Sequence, residues 1–310
     1  MPRIGDRGEL EAFVRCVELR SFSAAARELR LTPSTLSKLV TRLEQALKVR
    51  LVKRSTREIL PTPEGEMFVA RCRRLLAEFD DAEMEVGSSR ERPRGKLRMH
   101  TGPGFGMTQL LFAMPRFLER YPEVQVDLML EDRRVDLLRE NLDISVTVWK
   151  PENLSLVVRK LFDFGRITCA APSYLKRYGK PRTLDDLGRH RCIRVTSTLG
   201  TLPWQFKTPS GLKTIEPKPD LAVNNAAFGT QLVILGAGIA QLMEFQVAEA
   251  IGDGRLVHLF PEYPCPEDRS MIAVYAHERH RLPRVRAMLD FLVASFAHRP
   301  WRTPRARAKK

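Results

Sequence analysis

Pro33, Ser34, Thr35, Ser37, Lys38 and Arg42 crowd one short stretch near the start of this 310-residue sequence. Serine, threonine and proline are small enough to let a backbone approach the edges of base pairs. Lys38 and Arg42, four apart and therefore on one side of a helix, have the reach for a guanine or a phosphate. A second basic cluster follows in Arg50, Lys53, Arg54 and Arg57, spaced to meet phosphates or a minor groove. Catalytic chemistry is poorly represented. Neither G-x-S-x-G nor H-E-x-x-H occurs, and His277-Glu278-x-His280 stands between arginines, as surface histidines do. The five cysteines, Cys16, Cys72, Cys169, Cys192 and Cys265, are odd in number and form no C-x-x-C pair, which argues against a disulfide framework or a zinc site. No catalytic residue, metal or cofactor is expected.

Helices must position the first cluster. Leu10, Phe13, Val14 and Val17 give a first helix over about Glu9–Leu19. Ser21 caps a second, Phe22–Leu29, which buries Ala25, Ala26 and Leu29. Thr32-Pro33 then pairs a capping hydroxyl with a proline at the first helical position, and the third helix runs to about Leu47 over Leu36, Leu39, Val40 and Leu43. Two short helices on a tight turn, the second opening with small polar residues, make a helix-turn-helix whose second member lies in the major groove. Arg50 to Leu60 reads as two short strands around a polar turn, a basic wing.

These residues resemble a known family. Phe22-Ser23-x-Ala25-Ala26-x-x-Leu29, Thr32-x-Ser34-x-Leu36-Ser37-Lys38, Leu43-Glu44, Arg54 and Thr62-Pro63-x-Gly65 are similar to the winged helix-turn-helix of LysR-type transcriptional regulators. The match is close over roughly residues 8–90 and looser beyond. The sequence departs from the family pattern at Lys48, where glycine is usual, at Val52, where phenylalanine is usual, and at Pro61.

From Pro63 to about Val86 the pattern is helical, and Phe68, Cys72, Leu75, Phe79, Ala82 and Val86 recur at spacings of four and three. That is a heptad seam, suited either to the domain's own core or to a second copy. The resemblance implies the second: a linker helix pairing with its twin, so that a homodimer offers two reading helices to a roughly palindromic operator, with a homotetramer as the expected assembly. Gly87-Ser88-Ser89 to Pro93-Arg94-Gly95 reads as a hinge.

Beyond Lys96 strand-like and helix-like runs alternate, giving an α/β fold with mostly parallel sheets. Strands are expected at Lys96–His100, Val124–Leu130, Ile144–Trp149, Ile167–Ala171, Cys192–Val195, Leu221–Val223, Ile239–Leu242 and Ile272–Ala276. Helices are expected at Met107–Arg120, Arg134–Glu140, Ser173–Tyr178, Ala226–Leu235 and Pro283–Ala297. Gly95-Lys96-Leu97-Arg98, Phe117-x-x-x-Tyr121-Pro122-x-Val124, Ala171-Pro172-Ser173-Tyr174-Leu175 and Gly236-Ala237-Gly238-Ile239-Ala240 resemble the effector domain of the same family, which implies a two-lobed, periplasmic-binding-protein-like fold around a ligand cleft. Gly236-Ala237-Gly238 lacks the strand-then-helix setting of a dinucleotide fingerprint and reads as close backbone packing. Thr101 and Gly102, before a helix, are candidates for receiving a carboxylate, with Ser197 and Thr198 opposite. Thr147 stands where the family often has arginine.

The sequence therefore divides into a winged helix-turn-helix over 1–62, a linker helix and hinge over 63–92, a two-lobed effector domain over 93–298 and a basic tail over 299–310. That tail holds six Lys or Arg and no acid, and is expected to be disordered. The net charge of +15 favours a polyanionic partner, double-stranded DNA. No apolar run approaches a membrane span and no signal-peptide core precedes the first helix, so the expectation is a cytoplasmic protein with no membrane partner. Two rival readings remain: a solute-binding protein with an accessory helical segment, and an enzyme carrying a DNA-binding head.

Overall fold

The structure, a computed structural model, describes residues 6–54, 59–87, 92–196, 203–266 and 269–302. The chain forms two compact units, Met1–Glu91 with Leu138–Asn141 and Arg92–Leu137 with Leu142–Lys310.

In the first unit α1 (Arg7–Leu19), α2 (Phe22–Glu28) and α3 (Pro33–Leu47) begin on side-chain caps. Asp6, Ser21 and Thr32 accept from the backbone N–H groups of Glu9, Ala24 and Thr35 respectively. Each cap satisfies a donor that the helix leaves open, and for this reason the starts at Ser21 and Thr32 are legible in the sequence, whereas the Asp6 cap begins α1 two residues before the expected Glu9. Phe13, Ala25, Leu36, Val40 and Leu43 close the core between the helices. The end of α3 departs from the family pattern for a physical reason. Lys48 caps it at φ 54°, the left-handed conformation that glycine adopts without strain. Lys48→Gly is expected to stabilise this unit by about 1 kcal/mol, read as a higher urea midpoint with unchanged slope; a lower midpoint would contradict it.

The wing strands β1 (Val52–Arg54) and β2 (Ile59–Pro61) pair antiparallel, Val52 opposite Pro61. Thr62 ties them to the linker helix α4 (Pro63–Gly87), since its Oγ1 donates to the Arg50 carbonyl at 2.7 Å and accepts from Gly65 N–H at 3.0 Å. Gly65 is required there, because a Cβ would lie 2.1 Å from the Leu51 carbonyl oxygen.

The second unit holds two five-stranded sheets. The first, in order β4-β3-β5-β14-β6, comprises β3 (Gly95–Thr101), β4 (Val124–Leu130), β5 (Ile144–Thr147), β6 (Leu156–Phe164) and β14 (Arg269–Ala276). The second, in order β11-β8-β12-β7-β13, comprises β7 (Arg166–Ala170), β8 (Cys192–Val195), β11 (Pro219–Val223), β12 (Ile239–Met243) and β13 (Val257–His258). The hairpin β9 (Trp204–Thr208) and β10 (Gly211–Ile215) packs Trp204 and Phe206 into a cluster with Ala170, Cys192 and Ile239 of the second sheet. The chain passes from the first sheet to the second between β6 and β7 and returns before β14, so the unit has two lobes.

Helices cover both lobes. On the first, α5 (Pro103–Phe105) continues through a π turn, Gly106–Leu110, into α6 (Leu111–Arg120), and α10 (Pro283–Phe296) packs across Phe117 and Phe162. On the second lie α7 (Pro172–Tyr178), α8 (Ala226–Ile234) and α9 (Glu244–Gly252). Gly238 packs as its sequence context suggests, with a Cβ position 2.6 Å from the Arg191 carbonyl oxygen.

Three expectations are corrected. The sheets are mixed: β3 is parallel to β4 and β5, and β8 to β11 and β12, but β14 runs antiparallel to β5 and β6, and β7 to β12 and β13. Residues 134–140 form no helix. Seven residues propagate a helix poorly, and Arg134 is held instead by Glu152 at 2.8 Å and over the Trp149 ring. The tail is ordered at its start: Trp301 is buried, and its Nε1 donates to Glu244 Oε1 at 2.7 Å, beside a bidentate pair from Arg302. Residues 303–310 lie outside the described residues.

Candidate functional site

The helix-turn-helix presents its polar cluster outward. Pro33, Ser34, Thr35, Lys38 and Arg42 are exposed, while Ser37 and Thr41 are half-buried. The Thr32 hydroxyl bonds those of Ser34 and Thr35 at 2.9 and 2.8 Å, which gathers three small hydroxyls at the helix start. Lys38, Arg42 and Lys53 are exposed and form no ion pair among the described residues, so their charge is uncompensated. Arg50, also exposed, stands 3.5 Å from Glu44. Arg54 is placed on β1 by its backbone, and Arg57 lies outside the described residues.

Glu44 is a positioning residue that residue-type reasoning missed. Its carboxylate is 5% exposed, and Oε1 accepts from Leu51 N–H at 2.8 Å and Val52 N–H at 3.2 Å. A carboxylate at a helix C-terminus opposes the dipole; here it sets the entry of β1, and with it the place of Lys53. Only the Leu43-Glu44 pair quoted for the resemblance carried a signal of it.

The heptad of α4 is divided between two duties. Cys72 is fully buried and Phe68 packs on Phe13 with ring centroids 5.8 Å apart, so both belong to the unit's own core and leave the seam. Burial pushes the Cys72 thiol up to about 12, which keeps it protonated and inert. Leu75 and Phe79 are 36% and 50% exposed and remain on the surface.

In the second unit a cavity of about 130 Å³ opens between the lobes. From the first lobe it takes Thr101, Gly102, Asp132, Thr147 and Trp149. The second lobe and the crossings supply Arg166, Arg194, Trp204, Gln241, Gln246 and Arg269. Of the expected residues, Gly102 caps α5 without a side chain, and Thr101 is fully buried with its hydroxyl donated to the Val146 carbonyl at 3.0 Å. Thr101 is thus not a free donor to a ligand. Thr147 accepts from Trp149 N–H at 3.2 Å. Ser197 and Thr198 lie outside the described residues. Asp132 reaches across the cleft and accepts from Ala226 N–H, the first residue of α8, at 2.8 Å. Burial raises its carboxyl above the ordinary range against the pull of that N–H and of His100.

The cavity's arginines were not expected. Arg166 donates to the Pro203 carbonyl at 3.0 Å and Arg194 to that of Pro217 at 3.1 Å, and neither meets a carboxylate among the described residues. Arg166 and Arg269 open antiparallel strands. Arg166 lies opposite Met243, at the carboxyl end of β12, and Arg269 stands just past Thr147, at the carboxyl end of β5. Ligands collect at the carboxyl ends of parallel strands, and an antiparallel neighbour brings its first residue to that same edge. Reading the sheets as parallel hid both. Among the described residues no cluster of His, Cys, Asp or Glu is arranged to hold a metal ion, and no helix is long and apolar enough to cross a membrane.

Known proteins share this architecture. Residues 8–66 match the family model described as bacterial regulatory helix-turn-helix protein, lysR family, and residues 90–297 match the LysR substrate binding domain. The HTH-type transcriptional regulator CrgA of Neisseria meningitidis serogroup C is 32% identical over 92% of this chain and 95% of its own length. PtxR of Pseudomonas aeruginosa, also named an HTH-type transcriptional regulator, is 33% identical over 91% of this chain and 90% of its own. The structure of CrgA, titled a LysR-type transcriptional regulator from Neisseria meningitidis, superposes with a TM-score of 0.62 at 30% identity, covering 94% of this chain and 98% of that one.

Proposed function

The chain belongs to the LysR family of transcriptional regulators, with a DNA-binding helix-turn-helix and an effector-binding domain, and from that premise we propose which residues read the DNA, which hold the effector and which join two copies. The solute-binding reading gives way to the regulator. Ser34, Thr35 and Ser37 approach base edges from the start of α3, Lys38 and Arg42 extend to bases and phosphates, and Arg50, Lys53, Arg54 and Arg57 hold the flanking backbone. The observation that supports this is the exposed, unpaired charge of Lys38 and Arg42 on the helix at whose start the three hydroxyls gather, joined by that of Lys53 on β1. The protein acts on DNA in the cytoplasm.

The cleft between the lobes binds a small organic anion, a carboxylate, through Arg166 and Arg194. Two guanidiniums that meet only backbone carbonyls support this. In calorimetric titrations of the whole protein with small carboxylates, Arg166→Ala is expected to weaken the tightest binder at least about tenfold, the worth of a charge-assisted hydrogen bond. Unchanged affinity would remove Arg166 from the site. An effector of this kind regulates only by preferring one arrangement of the protein over another.

Leu75 and Phe79, on the half of the α4 seam left exposed, pair with a second copy, so that two α3 helices meet one roughly palindromic operator. A homotetramer is a pair of such dimers. Leu75→Asp places a charge in that contact and is expected to lower the oligomeric state seen by light scattering; an unchanged mass would reject the seam.

A further inference from the structure

The cavity that supports the anion reading contains two further groups that an anion alone leaves unexplained. Gln241 is 8% exposed and Gln246 6%, and both line the cavity. Nε2 of Gln241 donates to Thr168 Oγ1 and to the Gln205 carbonyl oxygen, each at 3.3 Å. A carbonyl oxygen only accepts, so the amide's nitrogen end must face Gln205 and its oxygen end is left over. That Oε1 is buried with no partner among the described residues. Gln246 is fixed in the opposite sense. Its Oε1 accepts from Met243 N–H at 3.3 Å, and the Nε2 left over is buried without a partner. Arg166 lines the same cavity, and its Nε is likewise buried without a partner among the described residues.

Gln241, Gln246 and Arg166 therefore bring two unmet donors and one unmet acceptor to the cavity's lining. Buried polar groups are nearly always paired, and leaving one unmet is costly. A bare carboxylate answers Arg166 Nε and Gln246 Nε2, yet it brings only lone pairs to Gln241 Oε1. The ligand must carry an O–H or N–H as well. Charge decides between them. Arg133, Arg166, Arg194 and Arg269 line the cavity against Glu131 and Asp132 alone. Glu131 is already engaged by Arg133 and Asp132 by the N-terminus of α8. An ammonium group would enter a wall of net positive charge; a hydroxyl carries no such penalty.

We propose that the effector is a small hydroxy-carboxylate, whose carboxylate meets Arg166 Nε and Gln246 Nε2 and whose hydroxyl donates to Gln241 Oε1. This rests on the anion reading of the same cleft. The volume of about 130 Å³ suits a short acid, since a cavity of about 150 Å³ takes a molecule the size of benzene.

The test is calorimetric titration of the full-length protein with two sets of acids that share a carbon skeleton: malate, succinate and aspartate, and lactate, propionate and alanine, the chiral acids as both enantiomers. At least one hydroxy acid is expected to bind about tenfold or more tightly than its deoxy and amino counterparts, the cost of one unmet buried group. In Gln241→Met that preference is expected to narrow to within about threefold. A deoxy or amino acid that binds as tightly as the hydroxy acid overturns the inference and leaves the anion reading standing, as does a full preference retained in a well-folded Gln241→Met. Binding by none of the acids overturns the anion reading and the inference with it. The comparison on the unmodified protein carries the test even if the variant fails to fold.

Discussion

Replacing Ser37 by glutamate is expected to reduce operator affinity at least about 100-fold while leaving the melting temperature within about 2 °C of the unmodified protein. Position 37 lies one turn into α3, half-buried beside Ser34 and Lys38. A carboxylate there faces base-pair edges and phosphates, and it also neutralises part of the field of Lys38 and Arg42. A lost specific contact costs about 1–3 kcal/mol, and repulsion from the phosphates adds to it. Arg42→Ala, which removes one cation and adds no repulsion, should fall between the two proteins and lessen the dependence on salt by about one phosphate contact. Electrophoretic shifts at two salt concentrations measure both. Unchanged affinity in both variants would mean that another element reads the DNA.

Glu44→Ala is expected to destabilise the first unit by about 3 kcal/mol, because two backbone N–H groups, those of Leu51 and Val52, lose their acceptor in a buried site. Glu44→Gln keeps a carbonyl oxygen for the same donors and should recover most of the loss. A urea titration of the three proteins distinguishes them by midpoint. Equal midpoints for the alanine and glutamine variants would show that the carboxamide cannot stand in for the carboxylate. No loss in the alanine variant would show that β1 finds its place without this anchor. Operator affinity should follow the same order, since β1 carries Lys53.

Local signals made the reading helix legible. Thr32-Pro33 and the spacing of Leu36, Val40 and Leu43 place α3 at Pro33–Leu47, where the structure has it. Each of those signals acts within one or two turns. The linker seam was legible only as a periodicity. Whether Cys72 faces its own core or a second copy depends on α1, whose Phe13 takes Phe68, and periodicity does not carry that information.

The strand β6 went unseen for a different reason. Opposite Met271 and Ile272 the register shifts, so that Leu161 is the extra residue of a bulge in β6 beside Phe162, both buried, which breaks the alternation by which strands are recognised. The cleft was the least legible feature. Thr101 and Gly102 were expected from the turn before a helix, and that turn does line the cavity. Arg166, Gln241 and Gln246, each with a buried group whose hydrogen bond is unmet, are brought together by antiparallel pairing and by the start of α9, from segments far apart in sequence. No spacing within a single segment encodes such a meeting.

Gene regulation by this protein depends on α3 making contact with base-pair edges, and selective binding measures that most directly. The intact protein is titrated, at about 150 mM salt, onto the DNA upstream of its own reading frame and onto a shuffled duplex of equal length and composition. At that salt, non-specific attraction is weak enough for base readout to dominate. A preference of at least about tenfold for the upstream DNA, lost in Ser37→Glu, is the predicted result. Equal affinity for both duplexes would contradict it.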